Sequence, residues 1–149
     1  MSLERQIQED LKAAMFAKNA TALASIRGIK AAIMLAKTAP DATDELTDAD
    51  IIKIIQKLVK QRKESAAIYA EQSRPELAEA ELAEAAIMEK YLPVQMSEEE
   101  VEEALKKIIA QVGAKSPADM GKVMGVATKA LAGQADGRLI STIVKRLLS

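Results

Sequence analysis

Residues Thr47–Ser73 read TDADIIKIIQKLVKQRKESAAIYAEQS, and Pro75–Tyr91 follow as PELAEAELAEAAIMEKY. The first segment places Ile51, Ile52, Ile54, Ile55, Leu58, Val59, Ala66 and Ile68 at the 3.6-residue spacing of an amphipathic helix. Thr47 stands where an N-cap belongs, with Asp48 and Asp50 in the next turn suiting the positive end of the helix dipole. Pro75 fits the first position of a second helix. Its Ala-Glu repeats keep Leu77, Leu82, Ala86 and Ile87 at helical spacing. The two segments together predict a long amphipathic hairpin arm.

Upstream, Ser2 caps a helix carrying Leu3, Ile7, Leu11, Ala14 and Met15, which breaks at Asn19–Ala20. A second helix carries Leu23, Ile26, Ile29, Ile33 and Met34, and Thr38–Glu45 is a turn-rich polar loop. Downstream, Pro93 ends the arm and sets a boundary at Leu92–Met96. Ser97 with Glu100 forms a capping box, and that helix closes at Gly113. Ser116-Pro117-Ala118-Asp119 opens the next helix, Gly133 closes it, and Asp136 caps the last. No stretch alternates with period two. The expected fold is all-α: an N-terminal helical region, residues 1–92, and a C-terminal three-helix unit, residues 97–149.

Composition agrees. Hydrophobic residues make up 49% and aromatics 2% of the 149, so Ala, Ile, Leu, Val and Met must build the core. Cys and His are both absent. That excludes disulfides, thiolate or imidazole metal sites, cysteine nucleophiles and the commonest general base. The first residues, MSLERQIQED, are no secretory signal, and no apolar run reaches the ~18 residues that span a bilayer. A soluble protein with a cytoplasmic address and no membrane partner is expected. The net charge of −1 hides a segregation, with acidic residues concentrated in 75–112 and basic ones in 113–149.

IRGIKAAI (Ile26–Ile33), KQRKES (Lys60–Ser65), YLPVQMSEEE (Tyr91–Glu100), SPADMGKVMG (Ser116–Gly125) and GQADGRLIS (Gly133–Ser141), taken in order, resemble the YqeY (GatB/YqeY) family across essentially the whole chain. The C-terminal part is also similar to the tail domain of GatB, a subunit of the tRNA-dependent amidotransferase. The matching positions are Gly121, Val123, Met124, Gly133, Gln134, Ala135 and Asp136. In GatB the chemistry belongs to a separate, larger domain that binds ATP, magnesium and the acyl-tRNA end, while the tail holds the tRNA body. The resemblance therefore implies tRNA as candidate ligand. An amidotransferase or aminoacyl-tRNA synthetase is the candidate protein partner. The link to carbon–nitrogen ligase activity with glutamine as amide donor comes by kinship alone.

The residues themselves identify no independent catalytic site. Neither a Gly-x-Ser-x-Gly elbow nor a phosphate loop is present, and Gly121-Lys122-Val123-Met124-Gly125 reads as small residues permitting close helix packing. No cofactor and no metal is expected. The candidate nucleic-acid contacts are Lys122, Lys129 and Arg138 with Gly133, Gln134 and Gly137, in a turn whose free amides and basic flanks suit phosphate. With few aromatics, shape recognition of folded RNA is favoured over base stacking. A secondary basic stripe, Lys53, Lys57, Lys60 and Lys63, lies on one face of the long helix. It reads more simply as a solvated face paired with the acidic arm. The alternative function is a protein–protein adaptor that uses the long hairpin and binds no RNA.

Overall fold

A computed structural model describes residues 2–40 and 46–149. Among these the fold is all-α, with seven helices and no strand. The chain forms two compact units, Met1–Leu92 and Pro93–Ser149.

The first unit holds α1 (Leu3–Ala17), α2 (Ala20–Thr38), α3 (Asp48–Glu71) and α4 (Pro75–Glu89). Ser2 Oγ accepts from Arg5 N at 3.2 Å to start α1. The α1–α2 corner is short: Lys18 turns left-handed at φ 54°, and Asn19 caps α2 by accepting from Ala22 N at 3.1 Å. Thr47 and Asp50 form the reciprocal capping box of α3, so two amides left without partners at the helix start are satisfied at once. Asp48 Oδ1 also accepts from Leu3 N at 3.1 Å, tying the start of α1 to that of α3. Of the expected polar loop, Thr38 ends α2, while residues 41–45 lie outside the described residues.

Isoleucine builds this core. Ile7, Ile26, Ile29, Ile33, Ile51, Ile55, Val59 and Met88 are buried against one another, each worth about 1.5–3 kcal/mol relative to exposure. Ala78 and Ala85 are the buried alanines of α4, and their small side chains let α3 and α4 approach closely. Several apolar positions assigned to core faces from periodicity are exposed instead: Met15, Met34, Ile68, Leu77 and Leu82. Their helices carry apolar stripes wider than the neighbouring helices cover. Ser25 is fully buried, its hydroxyl donating to Thr21 O at 2.8 Å within α2.

The second unit holds α5 (Glu98–Val112), a 3-10 turn (Pro117–Asp119), α6 (Met120–Ala130) and α7 (Gly137–Leu148). Ser97 and Glu100 cap α5 reciprocally, and Gly113 ends it at φ 70°. The helix expected to start at Pro117 begins three residues later. Asp119 turns its carboxylate back to accept from Lys115 N at 2.9 Å, which holds the intervening residues in the tighter turn. Val101, Leu105, Val123, Ala127, Ile140, Ile143 and Val144 form the core of this unit. Among the described residues no helix is long and apolar enough to cross a membrane.

Candidate nucleic-acid interface

The phase of α6 decides what it offers. Val123 and Ala127, four residues apart, face the core and are fully buried. The opposite face presents Gly121, Lys122, Gly125, Val126, Lys129 and Ala130, which line an open groove of about 690 Å³. A Cβ built on Gly121 or Gly125 would meet nothing within 4 Å. The packing expected of these glycines is therefore not made among the described residues, and the helix backbone lies bare at Gly121 beside Lys122 and at Gly125 between Lys122 and Lys129. Lys122 and Lys129 are seven residues apart, about 10 Å along the axis, and both are exposed. Asp119, at the entrance to α6, is held below the usual aspartate pKa by hydrogen bonds from the backbone amides of Lys115 and Ser116.

The glycine turn before α7 is built differently. Gly133 adopts φ 77°, a left-handed conformation that favours glycine. Its carbonyl accepts from Gln95 Nε2 at 2.6 Å, and the Gln134 carbonyl accepts from Met96 N at 2.9 Å. The turn thus pins the segment at the start of this unit. At the mouth of α7, Asp136 Oδ1 accepts from Arg138 N at 3.1 Å. A carboxylate already occupies the position where the amides of a free helix start would hold phosphate. Gly137 and Arg138 are exposed. Of the residues singled out from sequence, only Lys122 and Lys129 share the α6 groove. Gly133, Gln134, Gly137 and Arg138 are not among its lining. Gly121, Gly125 and Val126 complete it. Glycines spaced i, i+4 on the face opposite Val123 and Ala127 are the signal for them, visible only once the helix phase is known.

On α3, Lys53, Lys57, Lys60 and Lys63 are all exposed. Lys63 Nζ meets Glu89 Oε1 of α4 at 2.6 Å. Arg62, one residue before, turns inward. Its Nε lies 3.6 Å from Glu84 and 3.7 Å from Glu81, buried but without a hydrogen bond. Its Nη2 would sit 3.3 Å from a Cβ placed on Gly28 of α2. Carboxylates of α4 are thus already committed to cations of α3.

The first unit has a groove of its own, about 480 Å³, between α1, the start of α2 and the end of α4. Ala13, Ala14, Ala17, Ala22, Ile26 and Ile87 give its apolar lining, and Gln6, Asp10, Asn19, Lys90 and Tyr91 its polar lining. Tyr91 donates its phenol proton to Asp10 Oδ2 at 2.6 Å. Burial first, then this bond to a carboxylate, raise the Tyr91 pKa above its ordinary value. Among the described residues no group of three or more acidic side chains could hold a metal ion.

The chain is therefore a two-unit, all-helical protein whose basic groove on α6 stands open. A family model described as Yqey-like protein (YqeY) matches residues 4–148, and the chain belongs to that family. It is 36% identical over 124 residues to altered inheritance of mitochondria protein 41, mitochondrial, of Meyerozyma guilliermondii, covering 80% of this chain and 64% of that protein. The protein of the same name from Pyrenophora tritici-repentis is 32% identical over 150 residues, covering 96% of this chain and 79% of the relative. The chain thus spans less than two thirds of the first of these relatives. A glutamyl-tRNA(Gln) amidotransferase polypeptide of Thermococcus gammatolerans is 42% identical over 76 residues, 48% of this chain and 11% of that protein. That share exceeds what Pro93–Ser149 contains, so the likeness includes residues of the first unit. The relatives' names overturn the cytoplasmic address expected from the sequence, since they are mitochondrial proteins. Lack of a secretory signal bears on secretion alone and leaves organelles open.

Proposed function

We propose that this YqeY-family chain is a tRNA-associated binding module, accessory to glutamine-dependent aminoacyl-tRNA amidation, whose RNA contact is the open face of α6. One observation carries the reading: Gly121 and Gly125 have empty space above them, Gly121 next to Lys122 and Gly125 between Lys122 and Lys129. Glycine in a helix interior costs about 1 kcal/mol relative to alanine, and among the described residues no neighbour uses the room. A sugar–phosphate backbone laid across bare helix, with an ammonium on either side, uses both the room and the charge. The partial likeness to a protein named for glutamyl-tRNA(Gln) supports tRNA as the RNA. The module itself supplies no catalytic group to this scheme. Its protein partner would be an amidotransferase or an aminoacyl-tRNA synthetase.

Fluorescence anisotropy with folded bulk tRNA, at low and physiological salt and against a plain RNA duplex, tests this directly. Binding should prefer tRNA and weaken steeply with salt. The Lys122→Glu/Lys129→Glu variant should lose it while remaining folded, and Arg138→Glu should lose less. Unchanged affinity in the double variant would remove α6 from consideration.

A second reading, an adaptor acting through the α3–α4 arm, is favoured by the exposed Ile68, Leu77 and Leu82. It predicts RNA-independent co-elution with amidotransferase subunits on size-exclusion chromatography, lost in Ile68→Ser/Leu77→Ser.

A further inference from the structure

Phe16 is the single phenylalanine of the chain, and it is 87% exposed in a protein whose core is short of large side chains. Lys12 lies one turn before it and Lys18 two residues after. Among the described residues neither lysine makes an ion pair. Lys18 also occupies a left-handed conformation, φ 54°, that glycine would adopt without strain. On α1 Phe16 stands three and four residues after Ala13 and Lys12, the spacing at which helical positions are surface neighbours. Ala13 lines the groove of the first unit.

The groove's rim is chemically mixed. Asn19 Oδ1 is committed to Ala22 N, which leaves the amide NH2 of Asn19 to donate. Asp10 gives one oxygen to Tyr91, and among the described residues its carboxylate takes no other hydrogen bond. Gln6 adds a donor and an acceptor at the same rim. Donors and acceptors in a groove with apolar lining, beside an exposed ring with unpaired lysines, are the parts that hold a base and its phosphates.

We infer that Phe16 and this groove form a site for one unpaired nucleotide of an RNA. The base stacks on the Phe16 ring with its edge toward Gln6, Asn19 and Asp10, and the phosphates lie toward Lys12 and Lys18. The carboxylate of Asp10 disfavours phosphate beside it, while Lys90 in the groove and Lys12 and Lys18 outside it supply the cations. A lipid surface would meet the Phe and the lysines but has no base edge for the rim. A partner protein would more often bury such an anchor among aromatic or Arg neighbours than beside lysines. The inference takes RNA as ligand from the reading above, but places a separate contact on a separate unit.

The experiment uses one RNA hairpin in two forms, blunt and with a four-nucleotide 3′ overhang carrying 2-aminopurine. The overhang should raise the affinity of the intact chain about tenfold, the range of one base stacked on an aromatic ring, and 2-aminopurine emission should be quenched. Phe16→Ala should abolish the gain and the quenching while leaving blunt-hairpin binding as it was. Phe16→Trp should restore both, and Phe16→Leu should restore neither. Ala13→Leu, which fills the groove from its exposed edge, should act like Phe16→Ala. Equal binding of the two hairpins by the intact chain would overturn the site, as would rescue by Phe16→Leu. Loss of binding to anionic phosphatidylserine vesicles in Phe16→Ala, without any overhang effect, would overturn it in favour of a membrane contact. Lys122→Glu/Lys129→Glu separates the two sites. If it weakens both hairpins equally and the tenfold gain survives, both readings stand; if it changes nothing and the gain survives, only the α6 reading fails.

Discussion

Two helices carry a row of basic residues, and their surroundings make them different objects. On α3 the neighbour α4 answers with carboxylates: Lys63 meets Glu89 at 2.6 Å, and Arg62 turns in between Glu81 and Glu84. On α6 the lysines share an open groove with Gly121 and Gly125, and a Cβ on either glycine would meet nothing within 4 Å among the described residues. Charge spacing along a helix is the same signal in both cases. Whether that charge is already spent inside the fold depends on a neighbour from elsewhere in the sequence.

The largest effect expected from this contrast is on stability. Arg62→Met keeps most of the aliphatic stem but leaves Glu81 and Glu84 facing one another without a cation. Because the Arg62 side chain is about one quarter exposed, the loss should fall below that of a fully buried pair, at about 2 kcal/mol. Urea denaturation of the first unit measures it, and tRNA affinity should not change. If Arg62→Met also abolished RNA binding, the α3 face could no longer be treated as structural.

Next comes the α6 face. Lys122→Glu/Lys129→Glu should lower tRNA affinity by at least tenfold, about 1.4 kcal/mol, with a shallower salt slope and an unchanged urea midpoint. A midpoint that fell with the affinity would mean that these lysines hold the fold.

The glycines divide the same way. Gly133→Ala should destabilise the second unit by about 1 kcal/mol, because φ 77° strains any residue with a Cβ. Gly121→Ala and Gly125→Ala should each stabilise it, by roughly 0.5–1 kcal/mol, since the added methyl meets nothing and alanine favours helix. Both should nevertheless weaken RNA binding by thickening the face. Thermal melts with anisotropy on the same samples check both effects. Destabilisation by Gly121→Ala would show that the open groove is filled in solution.

Much of the architecture is legible in the sequence because its signals are local. The Thr47/Asp50 and Ser97/Glu100 boxes, Pro75 at a first helical position and Asn19 at the α1–α2 corner each depend on residues within a turn. What misleads is anything needing a partner far along the chain. Ile68, Leu77 and Leu82 follow a helical period, yet exposure depends on how far other helices extend alongside them. Gly133 and Gly121 are equally glycine in the sequence. One is a turn whose carbonyls hold Gln95 and Met96, and the other is bare helix. Motif proximity groups Arg138 with Lys122, but the groove on α6 does not include it. The scarcity of aromatics argues against base stacking, and it cannot show that the one phenylalanine stands outside the core.

The smallest effects concern pH, and they probe the two units separately. Asp119 has its pKa lowered by the Lys115 and Ser116 amides, with a contribution from Lys122. A carboxyl depressed in the folded state stabilises above its unfolded pKa, near ~4, and that stabilisation disappears as pH falls through the folded value. Asp50 at the start of α3 behaves likewise through Thr47, so acid weakens both units. Asp119→Asn should flatten the acid limb of the second unit alone. Tyr91 runs the other way. Its pKa is raised by burial and then by the bond to Asp10, so the stabilisation is complete below about pH 10 and is lost as pH rises toward the folded value. Tyr91→Phe should flatten the alkaline limb of the first unit alone, and it should remove a late-titrating phenol from the absorbance at high pH. Amide NMR signals from each unit, followed against urea at several pH values, resolve the limbs. If either substitution moved the limbs of both units together, α3 and α6 would share one cooperative structure, and the separate treatment of their basic faces would fail.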